Sequence, residues 1–257
     1  MQQFHPSTIH VGCLVAGLVW AAGAAAQVTV KPDGQWRHLF GAGASLSSGN
    51  SESSSFNLDA DSVRATVNDK WSVTGRALYG KSEGRKTAER FSVGTQYERD
   101  FDSVWFGFGR LEAVRDRPAN LSRRIFAGTG VGYHLARGDD GFWNVSMGFG
   151  YTQDRFLDPA EVDGRVRRSY GRAEVLLAQE SSYQLTGTTN FKQKLSVLPN
   201  LEDRGEYRAE FESALSVAIT QQLSLTAGLT VRYNSDPGEG LERTDMGFVT
   251  GVAVRID

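Results

Sequence analysis

The sequence contains a single cysteine, Cys13, inside an apolar stretch near the N-terminus. No disulfide framework can form within the chain, and zinc or iron–sulfur sites built on thiolates are excluded. Histidine is almost as scarce. Only His38 and His134 fall beyond residue 26, too few for a metal site of several imidazoles. The formal charge is −2, without the basic excess that a nucleic-acid partner requires. Beyond residue 26 no apolar run approaches the roughly 18 residues of a membrane helix, so any membrane crossing must be made by strands. There is no Gly-x-Ser-x-Gly, no His-Glu-x-x-His and no phosphate-binding P-loop.

What is present begins with residues 11–26, an apolar run ending in Ala24-Ala25-Ala26. It is short for a membrane span and ends in small residues of the kind a signal peptidase cuts. Residues 1–26 therefore read as a signal peptide, and residues 27–257 as a single exported domain.

That domain reads as period-2 segments. In Leu223–Asn234, Leu223, Leu225, Ala227, Leu229, Val231 and Tyr233 share one face, and Ser224, Thr226, Gly228, Thr230, Arg232 and Asn234 share the other, which is strand alternation. Similar segments predict about twelve strands, near 37–49, 54–67, 71–80, 87–99, 104–114, 122–136, 142–154, 166–178, 184–196, 206–219, 223–234 and 243–256. They exceed the usual 5–6 residues of soluble strands and suit a tilted membrane crossing of about 9–11. The fold class is all-β, a closed antiparallel transmembrane β-barrel.

Connections and aromatic residues carry the membrane reading. Short links (68–70, 100–103, 137–141, 179–183, 220–222) alternate with mostly longer, charged ones (81–86, 115–121, 155–165, 197–205, 235–242), the rhythm of tight periplasmic turns and external loops. An even strand count puts both termini on the periplasmic side. Trp71, Tyr97, Tyr133 and Trp143 then fall at periplasmic strand ends, and Tyr79, Tyr151, Tyr207 and Tyr233 at external ends, as membrane-interface aromatics. Trp71 to Tyr79 and Trp143 to Tyr151 rise about 20 Å in a tilted strand, close to the ~25 Å apolar band of such barrels.

The opposite faces carry Arg90, Glu98, His134, Arg172, Glu174, Arg208, Glu210, Glu212, Arg232 and Arg255, the expected lumen lining. Both charge signs occur, which allows either an internal ion-pair network or a polar pore lining. Gly128, Gly130 and Gly132 lie within a strand, where they leave room on the lumen face. No nucleophile–base pair is evident around His134, so no catalytic, cofactor or metal residue is expected. Two basic clusters fall in external segments: Arg115, Arg117, Arg123 and Arg124, and Arg165, Arg167 and Arg168. They read either as contacts to anionic lipopolysaccharide or as a solvated rim.

Trp36 with Gly41–Asn50, Trp71–Gly80, Lys86–Arg90, Leu223–Tyr233 and Arg243–Asp245 with Thr250-Gly251 together resemble the salt-induced outer membrane proteins of Gram-negative bacteria, a family without an assigned role. The resemblance implies a single barrel in the outer membrane and no reaction. Expected partners are outer-membrane lipids and the barrel assembly machinery, and the expected state is a monomer. A structural or envelope-adaptation barrel, or a narrow channel, is the leading expectation. A solute-passing porin comes next, and a lipid-modifying barrel enzyme third.

Overall fold

The computed structural model describes residues 30–47, 53–162, 164–203, 205–237 and 241–256, except for the side chains of 45–47 and 53. The expected signal segment, with Cys13 and the boundary at Gln27, lies outside the described residues. Twelve strands follow in order: β1 (Trp36–Ser47), β2 (Ser53–Ala65), β3 (Asp69–Ser82), β4 (Arg85–Asp100), β5 (Trp105–Asp116), β6 (Leu121–Gly138), β7 (Gly141–Val162), β8 (Arg165–Gln184), β9 (Thr189–Pro199), β10 (Tyr207–Ala218), β11 (Leu223–Asn234) and β12 (Thr244–Ile256). Each pairs antiparallel with its chain neighbours, and β1 pairs with β12 to close the barrel. Closure removes the free edge strands of an open sheet, although β8 runs past β9, which pairs with it only over Leu177–Gln184. The start of β1 and the end of β12 lie at one rim, called here the terminal end. The opposite rim is the distal end.

Alternation decides which way each side chain points. Trp143, Met147, Phe149 and Tyr151 of β7 are outward and exposed, as are Met246, Phe248, Val252, Val254 and Ile256 of β12. Large apolar side chains on the outer wall and charged ones inside are the reverse of a water-soluble barrel, and are the arrangement of a lipid-facing one.

Three connections differ from expectation. The segment 81–86 is a hairpin closed by Glu83-Gly84, both at positive φ (50° and 74°), the backbone of a tight primed turn. The expected loop 155–165 is mostly strand. β7 bulges between Arg155 and Ala160 and then resumes pairing with β8. Asn120 in the β5–β6 turn holds that bulge: its Nδ2 donates to the Asp158 carbonyl (3.0 Å), its Oδ1 accepts from Asp158 N–H (2.9 Å), and its carbonyl accepts from Leu157 N–H (3.0 Å). The expected turn 179–183 is also strand, because Glu180, Ser181 and Ser182 pair with both β7 and β9. The turn comes after Gln184, where the Thr186 hydroxyl accepts from the N–H groups of Thr188 and Thr189.

Candidate functional site

The site is the barrel interior, and its two sides differ. On the side of β5 to β8 the lumen is filled. Phe106, Phe108, Phe126 and Leu176 form a buried inward cluster, with Ala178 and Leu198 packed against it. Glycines make the room. A methyl at Gly132 would stand 2.1 Å from the Phe106 ring, and one at Gly150 would stand 2.3 Å from the Phe126 ring. The glycine face of β6 and β7 is therefore a seat for aromatic rings that occupy the lumen.

Towards the distal end an ion network continues this packing. Asp154 accepts from Arg124 (2.6 and 2.7 Å) and from Arg172 (3.0 Å). Glu174 accepts from Arg172 (3.0 Å), from Arg208 (2.8 Å) and from the Thr152 hydroxyl. The side chains of Asp154 and Glu174 are 2% and 1% exposed. Charges this deeply buried persist only when paired and hydrogen-bonded. Here three arginines surround two carboxylates, and the stack of Arg172 on the Tyr170 ring (5.3 Å) completes the shell.

The other side encloses a cavity of about 970 Å³. Its lining includes Thr66, Asp69, Asp140, Gly187 and Ala218 at the terminal end and reaches Leu78, Arg90 and Arg232 towards the distal end. Most of its charges are neutralised: Lys70–Glu98 (2.9 Å), Arg110–Glu112 (2.6 Å), Arg90–Asp116 (2.7 Å), Lys192–Glu180 (3.1 Å) and Arg232–Glu210 (2.8 Å). Arg76 of β3 pairs with Asp59 of β2 (3.8 Å) and also with Glu212 of β10, on the far side of the lumen. Asp61, Lys194 and Arg255 line the cavity without an ion-pair partner among the described residues, and Arg255 Nε is buried with no hydrogen bond.

Each expected lining residue thus has a place. Arg90, Glu98, Glu210, Glu212, Arg232 and Arg255 face the cavity, while Arg172, Glu174 and Arg208 belong to the distal network. His134 sits at the terminal end of the lumen. Its Nδ1 meets Asn144 Oδ1 (2.8 Å), its Nε2 meets Asp100 (3.2 Å), and its ring stacks on Phe106 (4.7 Å). Arg137 shares the same Asp100 carboxylate (2.6 Å). Asp116 is engaged by Arg90 rather than by this imidazole.

Comparison with known proteins identifies the family. A model described as "Protein of unknown function, DUF481" matches residues 40–256. The chain belongs to the DUF481 family. It is 27% identical over 205 residues to "Uncharacterized protein YdiY" of Escherichia coli (strain K12), covering 79% of this chain and 77% of that one. Among solved structures it is similar to the NanC porin (12% identity, 85% and 96% of the two chains, TM-score 0.46). It is also similar to the translocator domain of the autotransporter NalP from Neisseria meningitidis (11%, 86% and 86%, TM-score 0.47).

In this member of the family the aromatics expected at the membrane interface lie at the two ends of the outer wall. Trp71 stands opposite Tyr97 in register and packs against Trp36 (5.8 Å). Trp143 lies at the same end, and Tyr79 and Tyr151 at the distal one, all exposed. Tyr133 and Tyr233 are half-buried instead. Trp105 meets Tyr133 edge-on (5.0 Å), and Tyr207 stacks on Tyr233 (5.2 Å). Sequence reasoning missed Arg76, Arg110, Glu112, Lys192 and Lys194 as interior residues, and missed the inward phenylalanines. A period-2 charge signal was present in Asp59/Asp61, Arg110/Glu112 and Lys192/Lys194. The phenylalanines gave none, because apolar residues on an alternating strand suggest the lipid face.

Proposed function

We propose that this protein is a non-enzymatic barrel of the outer membrane whose interior is braced rather than open, serving as a structural or envelope-adaptation element with at most a narrow ion path. The observation that carries this reading is the Arg76–Glu212 pair across the lumen, backed by the Phe106/Phe126 packing and the Asp154/Glu174 network on the opposite side. Residues 1–26 serve as the export signal, the terminal end faces the periplasm, and the assembly machinery inserts the chain as a monomer. Outward aromatic belts at both rims support the membrane placement.

Planar-bilayer recording of the refolded protein tests it. The expected result is no current step comparable to a general porin, together with increased envelope permeability in a deletion strain. Large, stable steps with ion selectivity overturn it in favour of a second reading, a solute-passing porin. That reading is favoured by the cavity of about 970 Å³ and by Lys194 and Arg255 on its wall, which have no ion-pair partner among the described residues.

A further inference from the structure

Near the distal end of the outer wall, arginines occupy one row on three consecutive strands. Arg123 of β6 and Arg155 of β7 are direct cross-strand partners. Arg115 of β5 stands one outward position beyond Ala113, which pairs with Ile125, the outward residue next to Arg123. All three are exposed, and none forms an ion pair among the described residues. The neighbouring arginines behave differently: the inward Arg124 pairs with Asp154, while the exposed Arg117, in the turn beyond, pairs with Glu89. The acidic side chains of Asp158 and Glu161 lie farther out on β7, at and past its bulge. Like charges placed directly opposite on a sheet are unfavourable, and among the described residues no acidic side chain forms an ion pair with the row.

Below it on the same strands lies a shallow outward groove of about 540 Å³. Its floor is small (Gly109, Ala127, Thr129) and its sides are Tyr97, Leu111 and Phe149. The polar groups there are spent internally. Thr129 Oγ1 donates to the Phe108 carbonyl (2.8 Å), and Trp71 Nε1 donates to Thr95 Oγ1 (2.7 Å), which itself donates to the Ser72 carbonyl (3.1 Å). Apart from the Tyr97 hydroxyl, the groove therefore offers a ligand mainly apolar contact. Registers Arg123↔Arg155, Ile125↔Gln153 and Ala127↔Tyr151 place the arginines four residues, or two outward positions, above it.

We infer that Arg115, Arg123 and Arg155 together with this groove form a binding site for one phosphate-bearing membrane lipid, its phosphate held by the arginines and an acyl chain lying over Gly109, Ala127 and Thr129. Guanidinium forks match phosphate oxygens, and the row lies where headgroups meet the hydrocarbon region. The inference rests on the membrane reading above.

The test is native mass spectrometry of the full mature barrel in detergent, with diphosphoryl lipid A, monophosphoryl lipid A, phosphatidylglycerol and inorganic phosphate offered separately. Heat-modifiable gel migration first establishes that each protein is folded. Retention of one lipid, diphosphoryl lipid A above the others, is expected. Arg123→Gln with Arg155→Gln should weaken retention at least about tenfold, the loss of one charge-assisted contact or more. Ala127→Trp, which fills the groove, should weaken it too, whereas Arg165→Gln with Arg168→Gln at the hairpin tip should not. Unchanged retention in the arginine variant overturns the inference, as does inorganic phosphate displacing the lipid. A wild-type chain that never enters the outer-membrane fraction would instead sink the membrane reading itself.

Discussion

Arg76 on β3 and Glu212 on β10 meet across the barrel, although five strand steps separate them by the shorter way round the wall. Every other ion pair named above joins strands no more than two positions apart, so this pair alone among them spans the lumen. If it braces the two walls, removing it should both soften and open the barrel. Arg76→Gln, Glu212→Gln and the double variant should give a coupling energy of roughly 0.5–3 kcal/mol in a double-mutant cycle, read from denaturant midpoints in detergent. Current steps should appear in the single variants where the wild type has none. Additive effects and an unchanged baseline would contradict the brace.

Asp154 faces two arginines from different strands. Asp154→Ala leaves Arg124 and Arg172 with a buried excess of positive charge. The expected loss is about 3–5 kcal/mol of stability, measured by urea unfolding of the refolded barrel. A variant within about 0.5 kcal/mol of wild type would mean that water already neutralises the network.

Glycine positions along β5 and β6 should differ sharply. A methyl at Gly130 would stand 2.2 Å from the Met147 carbonyl oxygen, a backbone atom of the paired strand, whereas one at Gly109 meets nothing within 4 Å. Gly130→Ala should therefore cost on the order of 1–3 kcal/mol and lower the folded fraction on a gel-shift assay. Gly109→Ala should be near neutral. Equal behaviour of the two would refute the close β6–β7 approach.

Asp102, in the turn between β4 and β5, accepts hydrogen bonds from the N–H groups of Val104 and Trp105, both at 2.8 Å. These bonds hold its carboxyl below the usual carboxylate range. A lowered carboxylate pKa contributes stability above the ordinary value and loses it as pH falls through the lowered one. Amide protection at Val104 and Trp105, corrected for intrinsic exchange, should fall over that acidic window. In Asp102→Ala it should be low already at neutral pH and flat below it.

The sequence by itself determined the barrel. Period-2 alternation over long segments, two girdles of Trp and Tyr, and charged residues opposite apolar ones are local properties of each strand, and they gave twelve strands with the correct outward faces in β6, β7, β11 and β12. It determined less about where strands end. The β7–β8 extension depends on Asn120 capping a bulge 38 residues away, and a hydrogen bond of that span has no local signature. Only the tertiary structure decided what fills the interior. Ring closure brings Arg76 to Glu212 and Arg208 to Glu174, and glycines on β6 and β7 give inward space to Phe106 and Phe126. Alternation assigns a residue to a face of its own strand. Which charges meet across that face is fixed by barrel closure and strand register, and those emerge only once all twelve strands are paired.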